Sequence, residues 1–90
     1  MSAADIAVRV YRKLEPEDLQ ILQAIELQMK HYEHVPEEAI HKPANLPPQE
    51  VAYRLPNLGK KGLIQRWRRA YTGYSLTTAG YDTLAINALV

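Results

Sequence analysis

The sequence predicts a mixed α+β domain, mostly helical with a small antiparallel hairpin, and three observations predict it. The first is a change of period: Tyr74 and Leu76 alternate with Ser75 and Thr77 as in a half-buried strand, after which Tyr81, Leu84, Ala85, Ala88 and Leu89 fall on one helical face. The second is a pair of prolines, Pro16 and Pro48, each placed to open a helix and each followed by an apolar stripe. The third is two strand-like runs, Leu63 to Arg68 and Tyr74 to Leu76, joined by the short segment Arg69 to Gly73. Helix, helix, turn, helix, hairpin, helix is the order of a winged helix-turn-helix.

Taken in order, Ser2-Ala3-Ala4-Asp5 has the spacing of a capping box and predicts a short helix from Ala3 to Tyr11, although Ile6, Val8 and Val10 also alternate as a strand would. Pro16 suits the first position of the next helix, with Glu17 and Asp18 favourable at its positive end. Leu19, Leu22, Ile25, Met29 and Tyr32 form its apolar stripe, which makes it the main core helix. Pro36 is expected to start a brief helix through Ile40, limited by Pro43. Leu46-Pro47-Pro48 is the turn, and Pro48 opens the third core helix with Val51, Leu55 and Leu58 inward. Gly59 and Gly62 are expected to end it. Pro56 lies inside it, where it removes a backbone donor and crowds the carbonyl four residues earlier, so a kink or an early end near Leu55 is expected. Leu63 to Arg68 is the first wing strand and Arg69 to Gly73 the wing tip; Thr77 then caps the closing helix through its hydroxyl.

Ninety residues suit one domain with a small core. A hydrophobic content of 47% argues against disorder. No apolar run approaches the roughly 20 residues that cross a membrane, and the first residues lack the basic-then-apolar pattern of a signal peptide. With zero cysteines there are no disulfides or thiolate metal sites, which fits a cytoplasmic protein. Net charge of +1 conceals a division: Met1 to Glu50 carries five Lys/Arg against nine Asp/Glu, and Val51 to Val90 carries six against one. That asymmetry points toward a polyanionic partner, with a merely solvated basic face as the plain alternative.

In a helix-turn-helix the outer face of the second motif helix enters the major groove, and a wing touches the neighbouring backbone. Here the helix would present Gln49, Tyr53, Arg54, Asn57, Lys60 and Lys61, and the hairpin would add Arg66, Arg68, Arg69 and Tyr71. Arg and Lys neutralise phosphates, whereas Gln and Asn read adenine edges. The lysines also suit a helix C-terminus with no ligand at all. Along the strand Trp67 is expected beneath while the arginines face water. The proline weakens base reading by a straight helix more than backbone binding by the wing. If the six cations Arg54, Lys60, Lys61, Arg66, Arg68 and Arg69 all met phosphates, the log–log salt slope would approach about −5 on a duplex.

His31, His34 and His41, with Glu33 nearby, invite a metal reading, but zinc needs three or four converging ligands and spacing alone does not supply them. Capping and surface packing are their expected roles. There is no glycine-rich phosphate loop, no Val-Ala-x-Lys strand and no His-x-Asp loop, and no base or acid is placed beside Ser2 or Ser75. No catalytic residue, metal or cofactor is expected in this chain.

A longer string narrows the class. Gly73-Tyr74-x-Leu76-Thr77-x-x-Gly80-Tyr81-Asp82-x-Leu84-Ala85-Ile86 resembles the N-terminal winged-helix domain of the Rio-two atypical protein kinases. His31-Tyr32-Glu33-His34-Val35-Pro36 followed by Ile40, and Arg54-Leu55-x-Asn57-Leu58 followed by Leu63-Ile64, resemble two further blocks in the same order. The resemblance runs from about Tyr11 to Val90, with Tyr32, Glu33 and Asp82 read as architectural and Asp82 placed in a first helical turn. It implies an accessory domain of a serine protein kinase acting in maturation of the small ribosomal subunit, with ATP and magnesium bound by a kinase domain outside these residues. The implied partners are structured rRNA or DNA, a pre-ribosomal particle and the kinase domain itself, with the chain monomeric and off the membrane. The apolar Ala88-Leu89-Val90, read as mid-helix, is expected to continue into a longer protein, the alternative being a complete chain that frays at its end. Two other classes stay open: a stand-alone winged-helix transcription regulator, and a protein-interaction module.

Overall fold

The computed structural model describes residues 3–11 and 13–89. Helix α1 (Ala3–Tyr11) is followed by α2 (Pro16–Gln28), strand β1 (Val35–Pro36), a 3-10 turn (Glu37–Ala39), α3 (His41–Ala44), α4 (Pro48–Lys60), β2 (Ile64–Arg68), β3 (Thr72–Leu76) and α5 (Thr78–Leu89). The strands form one antiparallel sheet in the order β1-β3-β2, so the hairpin gains a third, two-residue strand from the middle of the chain. The expected α+β winged helix is present. The first segment is helical rather than extended, packing against α5, where the Tyr11 hydroxyl donates to Asn87 Oδ1 at 3.3 Å. The Ser2 cap lies outside the described residues.

Helix α2 sits at the centre, touching α3, α4, α5 and β3. Its buried arc is therefore wider than a single stripe and turned from the expected one: Ile21, Leu22, Ala24 and Ile25 are buried, Leu19 is only half-buried, and Tyr32 lies beyond the helix with 40% exposure. Asp18 accepts the backbone N–H of Glu15 at 3.1 Å, closing the first turn. The Pro36–Ile40 helix gives way to the strand residue Pro36, paired with Gly73, and the 3-10 turn. Pro43 does not limit a helix but stands inside α3, at its third residue, where its missing N–H has no intrahelical acceptor to lose. Asn45, at φ 57°, ends α3 in the left-handed conformation.

Helix α4 does not stop at Leu55. It runs through Pro56 to Lys60, although an interior proline costs roughly 3 kcal/mol. Leu55 and Leu58, on either side of it in sequence, are 2% and 0% exposed, and their burial offsets that cost. Gly59 lies within the helix, and the stop falls at Gly62, whose φ of +75° suits glycine. There the Leu63 N–H reaches the Leu58 carbonyl at 3.1 Å and the Gly62 N–H reaches Gly59 at 3.0 Å, the paired bonds of a Schellman motif between two buried leucines.

The wing tip is shorter than expected, because Thr72 and Gly73 already belong to β3. Thr77 caps α5 as expected, accepting the Gly80 N–H at 3.1 Å while its hydroxyl donates to the Gly62 carbonyl at 2.5 Å. The inward face of α5 is Gly80, Thr83 and Leu84, rather than Tyr81, Ala85, Ala88 and Leu89. Any side chain at Gly80 would run into the Leu63 carbonyl, and this close approach sets the rotation of the helix. Asp82 consequently lies past the first turn.

Candidate nucleic-acid interface

Helix α4 buries Val51, Leu55 and Leu58, which leaves Gln49, Tyr53, Asn57 and Lys60 exposed on the opposite side, with Tyr53 71% exposed. Lys61, the C-cap, is half-buried. These side chains occupy the positions expected of a recognition helix.

Arg54 does not join them. Its side chain is 14% exposed and turned back onto the start of α2, where Nε donates to Glu50 Oε1 at 2.7 Å, Nη1 to Asp18 at 3.3 Å and Nη2 to Glu15 at 3.2 Å, with Glu17 at 3.7 Å. The hydrogen bond to Glu50 raises its pKa further above the ordinary guanidinium value, against an opposing desolvation effect, with Glu15 and Asp18 adding to the rise. This cation is occupied as a clamp between α2 and α4. All ion pairs among the described residues run through it.

The wing carries the remaining arginines. Arg66, Arg68 and Arg69 are exposed, and the period of two places Arg66 and Arg68 on the opposite side of β2 from Trp67. Trp67 is braced: its ring stacks on His34 at 4.5 Å between centroids and 5° between planes, and meets Tyr71 edge-on at 4.9 Å. The Tyr71 hydroxyl donates to the His34 carbonyl at 2.8 Å, so this predicted contact residue, still 41% exposed, also ties the tip to the approach of β1. Gly73 separates the two, pairing with Pro36 on one side and Trp67 on the other. A Cβ there would come within 2.8 Å of His34 Cβ. His34 Nδ1 is buried without a hydrogen-bond partner. The bracing pair went unrecognised in the sequence, although an isolated glycine in a strand pattern signals a close approach.

On the arginine side of the sheet, the Tyr74 hydroxyl donates to Glu37 Oε1 at 3.3 Å. Burial raises its pKa, Glu37 raises it further, and Arg66 and Arg68 act in the opposite direction. Between α4 and β2 runs a groove of about 510 Å³, bordered by Pro56, Gly59, Lys60, Gln65, Arg66 and Tyr74. It was not anticipated either; its sequence signal was the pair of helix-breaking residues in one helix.

A three-stranded wing, an exposed helix leading into it, and cations on both define a winged-helix domain. A family model described as "Rio2, N-terminal" matches residues 11–90. The Rio2 serine/threonine-protein kinase of Methanocaldococcus jannaschii is 44% identical over 62 residues, covering 69% of this chain and 22% of that protein. The crystal structure of the Chaetomium thermophilum Rio2 kinase in its ADP/Mg2+-phosphoaspartate complex superposes with a TM-score of 0.81 at 38% identity, over 89% of this chain and 24% of that one. The Staphylococcus aureus MepR–DNA complex gives a TM-score of 0.71 at 22% identity, over 97% of this chain and 71% of that one, a likeness of fold alone. The chain belongs to the Rio2 N-terminal domain family. It spans about a fifth to a quarter of the length of these Rio2 kinases.

Proposed function

We propose that the chain is the nucleic-acid-contacting accessory domain of a Rio2-type serine/threonine protein kinase, gripping structured rRNA in a pre-ribosomal particle during maturation of the small subunit. One observation carries the contact: Lys60, Lys61, Arg66, Arg68 and Arg69 stand outside every ion pair among the described residues, on a helix end and a braced hairpin. A run of cations without carboxylate partners is the kind of basic patch that nucleic-acid binding uses. Gln49 and Asn57 add side chains of the type that read base edges.

The ribosomal setting and the kinase activity rest on family membership. ATP and magnesium would be bound by the kinase domain of the whole protein. Among the described residues no group of three or more His, Asp or Glu is placed to hold a metal ion, so these residues do not fit that role and no catalytic step is assigned to them. Docking on the kinase domain is a compatible second contact, with Tyr81 of α5, 43% exposed, as its apolar side chain.

Ultraviolet cross-linking of the full-length protein in its source cells, with sequencing of the attached nucleic acid, tests the reading. Cross-links from the wing to the small-subunit rRNA precursor are expected. Attachment only to chromosomal DNA would favour a transcription regulator instead, and no attachment at all would leave a protein-interaction module.

A further inference from the structure

Two residues of α4 break helix preference beside one groove. Pro56 and Gly59, three residues apart, belong to the two residue types least suited to a helix interior, and both are exposed. A Cβ added at Gly59 would meet nothing within 4 Å, so no neighbour requires glycine there. Both residues border the groove between α4 and β2. Positions that break a local rule are where functional sites are expected; Gly59 does so with no packing reason, and with Pro56 it leaves one wall of the groove free of long side chains.

The other walls have complementary chemistry. Leu55 and Ile64, 2% and 5% exposed, close the bottom of a groove of about 510 Å³, a volume in the range of small-ligand sites, and the exposed Pro56 gives it an apolar wall. Lys60 and Arg66 stand at the rim, Gln65 adds an amide donor and acceptor, and no carboxylate borders the groove. The occupant must therefore pair a flat or apolar body with an anion. A fully paired duplex keeps its bases stacked inside and would leave the apolar wall at Pro56 unused. An unpaired nucleotide offers both parts, a base face to lie against apolar side chains and a phosphate for the rim. Proline rings are among the apolar groups that proteins place against bases. An acidic peptide without apolar side chains would meet the cations but leave the wall at Pro56 bare.

We infer that this groove seats one unpaired nucleotide, its base against Pro56 and Gly59 and its phosphate on Lys60 and Arg66. The inference rests on the nucleic-acid reading above and names the form of nucleic acid that the domain selects.

Fluorescence anisotropy with two RNA duplexes of equal length, one fully paired and one carrying a single-nucleotide bulge, tests it on the ninety-residue chain. The bulged duplex is expected to bind roughly tenfold tighter, the scale of one stacked base. Gly59→Leu fills the groove from an open position and is expected to abolish that preference while leaving affinity for the paired duplex unchanged. Should Gly59→Leu lower the melting temperature, Gly59→Gln serves the same purpose with a side chain well tolerated in helices. Arg68→Ala with Arg69→Ala should weaken both duplexes equally. Equal binding of the two duplexes by the unaltered chain overturns the inference and leaves phosphate contact standing. Binding of neither overturns both, and a preference that survives filling of the groove overturns its assignment. Groove-dependent binding of a polyglutamate peptide without a bulge preference would assign the groove to an acidic protein partner instead.

Discussion

His34 lies flat on Trp67, ring centroids 4.5 Å apart and planes 5° apart, across the one glycine of β3. The pair joins the segment before β1 to the first strand of the hairpin, and Tyr71 closes the arrangement by meeting Trp67 edge-on and donating to the His34 carbonyl. A two-stranded hairpin alone is marginal in water. This brace is what holds Arg66 and Arg68 on a defined surface.

Gly73→Ala should break the brace. The added methyl meets His34 Cβ at 2.8 Å and the His34 carbonyl at 3.0 Å, a backbone neighbour that cannot turn aside. A loss of about 1–3 kcal/mol in urea unfolding is expected, the usual scale of overpacking. Stability equal to that of the unaltered chain would show that the two segments separate freely.

Arg54→Ala should destabilise the fold without touching nucleic-acid binding. It leaves four carboxylates facing one another, Asp18 among them with a side chain only 8% exposed. Glu15 is 66% exposed and screened by water, so the expected loss is about 1–3 kcal/mol rather than the larger cost of breaking a dry pair. The salt slope of RNA binding should not move. A reduced slope would return Arg54 to the interface.

The salt slope itself counts the contacts. With Arg54 occupied, the five cations Lys60, Lys61, Arg66, Arg68 and Arg69 would give a slope of about −4.5 on a duplex. Arg68→Ala with Arg69→Ala should lower it to about −2.7 and weaken all sequences alike. Loss confined to one sequence would show that the wing reads bases.

Tyr74 predicts an alkaline weakness. Its folded-state pKa is raised by burial and by Glu37 above the ordinary value of about 10. The folded state therefore disfavours the phenolate, and the stability contributed is fully present below pH 10 and lost as pH rises toward the raised value. The difference in unfolding free energy between the chain and Tyr74→Phe should be flat from pH 7 to about 9 and then shrink or change sign as the pH climbs. A flat difference throughout would place the phenol in water.

Much of the fold was legible because its signals are local. Thr77 caps α5 from three residues before Gly80, Pro16 and Pro48 open their helices, and strand periods located β2 and β3 to within two residues. Elements without a period of their own were misread. Val35–Pro36 becomes a strand only because β3 arrives beside it, and Pro43 is tolerated because of its place in the first turn of α3.

The sequence by itself determined the order of helices and wing, the division of charge and the family, since each rests on residues a few positions apart whose backbone preferences and side-chain types act locally. Only the tertiary structure decided which cations are free. Glu50 lies one helical turn from Arg54, but Glu15, Glu17 and Asp18 reach it only because α2 packs against α4. Leu55 and Leu58 likewise keep a proline-bearing helix continuous to Lys60 by being buried together, and His34 finds Trp67 across 33 positions because a glycine in β3 leaves room between them. Ion pairs, burial and stacking depend on distance in space, which local preference along the chain does not specify.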